Sequence, residues 1–217
     1  NKYGNYLIDK QKGIEEIYNI NSNALREKYI SSEQIASYNA ANEKLWNRNF
    51  SHGDVLTYRL GIGNVPMPIK IEIPKQKFTM IDDSLAEKPQ KIKERFNIMR
   101  DVPVCIDLKN KNLIGIIGET SSWGQIIRNL IVQVAGNNSY TDVKIAFVYD
   151  SNKISNAKSW DFVKWLPHTW SEDKRIRFYA TNKNEAGEVF YAISQTMRTR
   201  VEEEKGQSKP YFLLFVL

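Results

Sequence analysis

The 217-residue chain has a single cysteine, Cys105, so no disulfide can form within it, and a reducing cytosol is its natural compartment. Histidine is nearly as scarce: His52 and His168 stand far from each other and from Cys105, with no metal-ligand spacing among them. The absence of a G-x-S-x-G segment leaves a Ser/His/Asp hydrolase without support. No apolar run approaches the roughly 20 residues that a membrane-crossing helix requires, and no signal peptide opens the chain. Lysine and arginine outnumber aspartate and glutamate, 31 to 25, for a net charge of +6. The two signs are interspersed, however, and no concentrated basic patch marks a DNA-binding surface.

What the chain does have is a globular composition. With 41% hydrophobic and 26% charged residues it can bury a sizeable core and remain soluble. Asn1 is not a start residue and "PYFLLFVL" stops within an apolar run, so the chain is expected to be an excised part of a longer protein.

Residues 1–50 read as helical. Leu25 and Tyr29 belong to one segment, and Ile35, Tyr38, Ala41 and Leu45 keep helix-face spacing in a second. Ser31 and Gln34 suggest a capping box and a break between the two near residue 31. Beyond "SHGD" the pattern changes. Residues 55–63 and 67–73 alternate as strands do, with a turn expected at "GIGNVP" between them. Residues 84–99 read as a helix with Ile92, Phe96 and Met99 on one face. Its Lys88, Lys91, Lys93 and Arg95 form either a phosphate-touching stripe or a solvated helix face.

From there strands (102–108, 112–118, 142–150, 175–180, 211–217) alternate with helices (124–137 and 184–204). Near-continuous apolar strands separated by helices imply an α/β fold with a mainly parallel sheet covered on both faces.

The stretch "GIIGETSSWGQIIRNL" (115–130) stands where a phosphate-binding loop belongs in such a chain. A P-loop follows the pattern G-x-x-x-x-G-K-[ST]. Its backbone amides wrap the phosphates, its lysine reaches the β- and γ-phosphates, and its hydroxyl holds Mg²⁺. Here Gly118 and Gly124 enclose five residues rather than four, Glu119, Thr120, Ser121, Ser122 and Trp123. Gln125 replaces the lysine, Ile126 the hydroxyl, Glu119 adds negative charge and Trp123 adds bulk. Gly118, Glu119, Thr120, Ser121, Ser122, Gly124 and Gln125 are therefore the candidate nucleotide position, of a form that opposes triphosphate. No catalytic or metal-binding residue is assigned. Asp150, at a strand end, reads as a turn former before it reads as a catalytic acid. "WDFVKWLPHTW" (160–170) gathers Trp160, Trp165, Pro167, His168 and Trp170. They form a stacking platform for a base, a docking patch for a protein, or a loop folding its own aromatics onto a sheet edge.

The order of "LWNR" (45–48), "YRLGIG" (58–63), "DVPVCIDL" (101–108), "IGIIGE" (114–119) and "KWLPH" (164–168) resembles the EssC/EccC family. These are membrane-anchored FtsK/SpoIIIE-type ATPases of type VII secretion systems. From about residue 20 to the end, the chain is similar to the region between their transmembrane helices and first FtsK-type module.

The resemblance implies a helical juxtamembrane stalk in residues 1–50. Residues 51–217 would then form a RecA-like (P-loop NTPase-like) domain with a degenerate site, lying at the cytoplasmic face of the cell membrane. Its partners would be other secretion components, downstream ATPase modules and further copies in a hexamer, with ATP and Mg²⁺ bound by the downstream modules and no cofactor or nucleic acid here. The region is thus expected to be a non-catalytic domain acting in assembly or regulation of the motor, hydrolysis belonging to the full-length protein; a nucleotide-binding ATPase domain with an unusual loop, and after it an FtsK-like DNA translocase module, are the alternatives.

Overall fold

The computed structural model describes residues 2–73, 84–202 and 209–217. Two compact units interleave along the chain: residues 1–31 with 58–106, and residues 32–57 with 107–217.

In the first unit, α1 (Lys2–Lys28) packs on α3 (Ser84–Phe96), and β1 (Thr57–Pro66) pairs with β2 (Ile98–Asp107); α2 (Ser32–Ala36) belongs to the second unit. Buried Met67, Met99 and Val102 form the core with Tyr18, Leu25 and Val65 around them. Tyr18 contributes twice. Its ring meets Phe96 edge-on at 5.6 Å, and its hydroxyl accepts from the Arg100 amide at 3.0 Å. The basic stripe of α3 is a solvated face in part: Lys91 pairs with Glu87 at 3.1 Å, both well exposed.

The second unit is built on a parallel sheet of order β4-β3-β5, from β3 (Val143–Val148), β4 (Tyr179–Ala180) and β5 (Tyr211–Val216). Register runs from Val143 opposite Tyr211 to Val148 opposite Val216. All six residues of β3 are buried, as a central strand covered on both faces requires. Alternation sends Ala146 and Val148 to one face, where they cluster with Phe178, Ala180 and Val189 of α5 (Lys183–Glu202). Phe147 faces the other way, 5.3 Å from the ring of Trp160 in a 3-10 helix (Ala157–Trp165). Helix α4 (Thr120–Asn137) buries Ile127, Leu130, Ile131 and Val134, the spacing of one helix face.

The α/β class is as the sequence indicates, but the sheets are small and several elements differ. Residues 112–118 are not a strand: Ile117 is fully exposed, and both ladders of β3 are taken by β4 and β5. The strand at 102–108 is β2, paired with β1 in the other unit. Strand β1 runs straight through "GIGNVP", and residues 67–73 are not a strand. Gly63 serves close approach and not a turn, since a Cβ there would lie 3.0 Å from Val104 Cγ2.

Helix also stops early in the second segment. After Ala36 the chain turns repeatedly, because Asn39 and Asn42 accept from the amides of Ala41 (3.0 Å) and Lys44 (2.9 Å). Such Asx turns compete with the helix that Tyr38, Ala41 and Leu45 suggest. The break near residue 31 is present, between α1 and α2. Helix α5 is described to Glu202; its expected last residues, 203 and 204, lie outside the described residues.

Candidate functional site

The glycine-flanked stretch is not a loop. Helix α4 begins at Thr120, so Thr120, Ser121, Ser122, Trp123, Gly124 and Gln125 are helical, Glu119 is the N-cap and Gly118 lies in the bend before it. The amides of Ser122 and Trp123 donate to the Glu119 carbonyl at 2.9 and 3.1 Å, the first bonds of the helix. Two amides that a phosphate cradle would aim outward are thus engaged inside the helix.

Trp123 accounts for the early start. It stacks flat on Trp160, with ring centroids 6.3 Å apart and planes 2° from parallel. One turn later the Arg128 guanidinium covers the same indole at 4.4 Å and donates to Ser159 Oγ at 2.8 Å. Gly124 lies between them in sequence, and a Cβ there would already contact Trp160 at 3.8 Å. Burying an indole against a second indole and a cation stabilises the turn that would otherwise be loop.

The aromatic segment divides into core and surface. Trp160 and His168 are buried, Trp160 beneath α4 and His168 beside Trp46 and Tyr140. Pro167 opens a second 3-10 turn (Pro167–Thr169) that presents His168 inward. His168 Nε2–H donates to the Asn138 carbonyl at 2.8 Å, which leaves Nδ1 a buried acceptor without a donor. Burial therefore lowers its pKa to about 4, with nearby Lys144 adding to the effect against the Asn138 hydrogen bond. Asn138 is the hub here: its amide also donates to the Val55 carbonyl at 2.9 Å. Trp46, at φ 57°, donates its backbone and indole N–H groups to Gly136 and Ala135, satisfying the carbonyls that end α4. Trp165, by contrast, is 72% exposed. A multi-ring stacking platform is thus not assembled; a single indole is presented.

Between Tyr179 of β4 and Tyr149, just past the carboxyl end of β3, a phenol network occurs that the sequence did not advertise. Tyr149 and Tyr179 hydroxyls meet at 2.9 Å, and Tyr179 donates to Asp161 at 3.4 Å. Burial above all, then the Tyr149 hydroxyl and Asp161, raises the Tyr179 pKa, so the group is a neutral donor at physiological pH. Period-two placement on adjacent strands was the available signal, but it required the strand register. Asp150 forms a turn, as its position suggested, accepting from the Asn152 amide at 3.0 Å. Among the described residues no group of acids, histidines and cysteine is placed to hold a metal ion, and no helix is long and apolar enough to cross a membrane.

No family model matches the chain. Curated relatives do. The chain is 26% identical over 219 residues to the ESX secretion system protein EccC of Geobacillus thermodenitrificans, covering 99% of this chain and 14% of that protein. Identity and coverage are the same for the ESX secretion system protein YukB of Bacillus subtilis. With the type VII secretion system protein EssC of Staphylococcus aureus, identity is 23% over 208 residues, 95% of this chain and 14% of that protein. Over nearly its whole length the chain is similar to EssC/EccC proteins.

It spans about one seventh of the length of these relatives. In this chain the landmark "LWNR" supplies Trp46 and Arg48 to the C-terminal end of α4, where Arg48 also donates to the Thr57 carbonyl at 2.9 Å. "KWLPH" supplies the exposed Trp165 and the buried His168. "YRLGIG" and "DVPVCIDL" lie in β1 and β2, and "IGIIGE" leads into α4. Most of the landmarks are therefore packing elements of the fold.

Proposed function

We propose that this region is a non-catalytic, ATPase-like domain of a type VII secretion motor protein, acting in assembly or regulation of the motor. The observation that carries the reading is the similarity to EccC, YukB and EssC proteins over 95–99% of the chain. The helical first turn of α4 supports the non-catalytic part. The "GETSSWGQ" stretch lacks the lysine and hydroxyl that triphosphate chemistry uses, and Trp123 is committed to Trp160. An α/β unit of RecA-like ancestry that has lost the lysine and hydroxyl can still offer surfaces to neighbours. In this proposal α1 belongs to a stalk at the cytoplasmic face of the cell membrane. The partners are other secretion components, the downstream ATPase modules that bind ATP and Mg²⁺, and further copies in a ring.

Calorimetric titration of this region with MgATP tests it, using an intact lysine-bearing FtsK-type module as positive control. The expected result is heat of dilution only. Saturable, Mg²⁺-dependent binding that weakens on replacement of Gly118 or Gly124 would overturn the non-catalytic reading and restore an ATP-binding domain.

A further inference from the structure

The chemistry left unabsorbed by this reading lies on one side of the second unit, between the segment entering β4 and helix α5. A groove of about 810 Å³ opens there, within the range of roughly 300–1,000 Å³ typical of ligand sites. Lys164, Arg175 and Arg177 stand along one wall, Glu188 and Tyr191 on the other, with Tyr179 between. Trp165 adjoins the cationic wall, with Lys164 Nζ at 5.7 Å and the Arg177 guanidinium at 5.8 Å from its ring centroid.

Three features distinguish this wall from an ordinary basic surface. Arg177 has no carboxylate partner among the described residues; its guanidinium lies 4.2 Å from the Trp170 ring and its Nε has no acceptor. Trp165 is a large indole left 72% exposed although cations flank it. Tyr191, on the opposite wall, is 67% exposed. Glu185 is committed to the Thr181 amide and hydroxyl at 2.7 and 2.9 Å, whereas Lys164 pairs with Asp161 at 3.3 Å and Arg175 with Asp173 at 3.6 Å, partly exposed pairs that an incoming carboxylate shares or displaces.

We propose that this groove docks an acidic segment of a partner protein. Carboxylates of the segment pair with Lys164, Arg175 and Arg177, an apolar side chain covers Trp165, and Glu188 accepts from a hydroxyl or amide. Carboxylates interleaved with the cations (Asp161 beside Lys164, Asp173 beside Arg175, Glu188 in the facing wall) suit a peptide better than a polyphosphate, which requires convergent amides or a cation cluster free of acids. Exposed aromatic rings beside arginine are also the residue types that carry binding energy at protein interfaces. Backbone strand addition does not compete, since the outward groups flanking Tyr179 are used: Arg177 bridges to Trp170, and the Thr181 amide to Glu185.

The inference deepens the assembly role proposed above and rests on it only for which protein supplies the segment. The test is fluorescence anisotropy of the 217-residue protein against an array of short labelled peptides in which Asp and Glu alternate with Leu and Phe. Matched peptides carrying Asn and Gln, together with ATP and tripolyphosphate, serve as comparison ligands. Acidic peptides are expected to bind saturably and to weaken as salt rises. The amide peptides, and the protein variants Arg175→Glu and Trp165→Ala, are each expected to bind roughly tenfold more weakly. Both side chains are exposed, so the variants keep the wild-type circular dichroism and melting curve; Arg177→Lys, with charge kept, retains part of the affinity.

No binding by any acidic peptide, equal binding of the amide peptides, or binding indifferent to both variants overturns the proposal. So does displacement of the bound peptide by tripolyphosphate with tighter binding than any peptide, which assigns the groove to a phosphate ligand. None of these outcomes bears on the MgATP titration at α4, so the two readings fail separately.

Discussion

Replacing Gly136 by alanine tests the junction of α2 and α4. Gly136 is buried near the end of α4, and a Cβ built there would lie 2.2 Å from Ile35 Cγ2 and 3.7 Å from Ile35 Cβ. Carbon atoms pack at about 3.5–4.0 Å, so the methyl overlaps its neighbour by more than ~1 Å. Ile35 has little room to yield: it is 4% exposed, β-branched and therefore stiff at χ1. Overpacking of this kind costs roughly 1–3 kcal/mol. Exchanging helical glycine for alanine returns only about 0.5–1 kcal/mol. Gly136→Ala is accordingly expected to lose about 1–2 kcal/mol, read as a lower urea midpoint with unchanged slope.

The partner substitution sharpens the assignment. Ile35→Ala alone should cost about 2–5 kcal/mol through lost burial and the cavity it leaves. It also removes the methyl that Gly136→Ala strikes. The double variant should therefore be more stable than the sum of the single losses by about 1–2 kcal/mol, a coupling typical of touching side chains. A Gly136→Ala protein as stable as wild type, or strictly additive losses in the double variant, would show that α2 does not lie against α4 at this position.

Two further predictions concern the aromatic segment. His168 has a folded pKa of about 4, below its ordinary 6.5, so the unfolded chain takes the proton first as pH falls. Its stabilising contribution is complete above pH 6.5 and is lost on acidification toward pH 4, up to roughly 3 kcal/mol. Urea titrations across that range should show this slope and His168→Gln should remove most of it; an unchanged slope would place the titration elsewhere. Trp160→Ala should cost about 3–5 kcal/mol, because the indole is buried against Trp123, Phe147 and Arg128. Trp165→Ala should stay within about 0.5 kcal/mol of wild type, and similar losses for both would contradict the division of the segment into core and surface.

Legibility in the sequence followed the kind of burial. Strands β3 and β5 and helices α4 and α5 stood out because continuous apolar runs, or three-and-four spacing, leave few alternatives once a sheet is covered on both faces. Residues 112–118 had an equally apolar run and still formed no strand, because a strand needs a partner with free backbone groups as well as side chains to bury. The Asx turns at Asn39 and Asn42 were written in the sequence, four asparagines between residues 39 and 49, but the helical spacing of Tyr38, Ala41 and Leu45 obscured them. In β1, Gly63, which looks like part of a turn, instead admits Val104 of the neighbouring strand.

At the glycine-flanked stretch the same boundary applies. The residues themselves settle that no lysine or hydroxyl follows Gly124, since the chemistry of a side chain does not depend on where it is placed. Whether the residues between the glycines form a loop or a helical turn could not be read locally, because serine and threonine suit either. Trp160, distant in sequence, makes the choice by stacking on Trp123 and drawing those residues into α4. The exposure of Trp165 was likewise out of reach in a segment where every aromatic looks equally apolar. Packing around β3 buries Trp160 and His168, and leaves one indole between two cations at the edge of a groove.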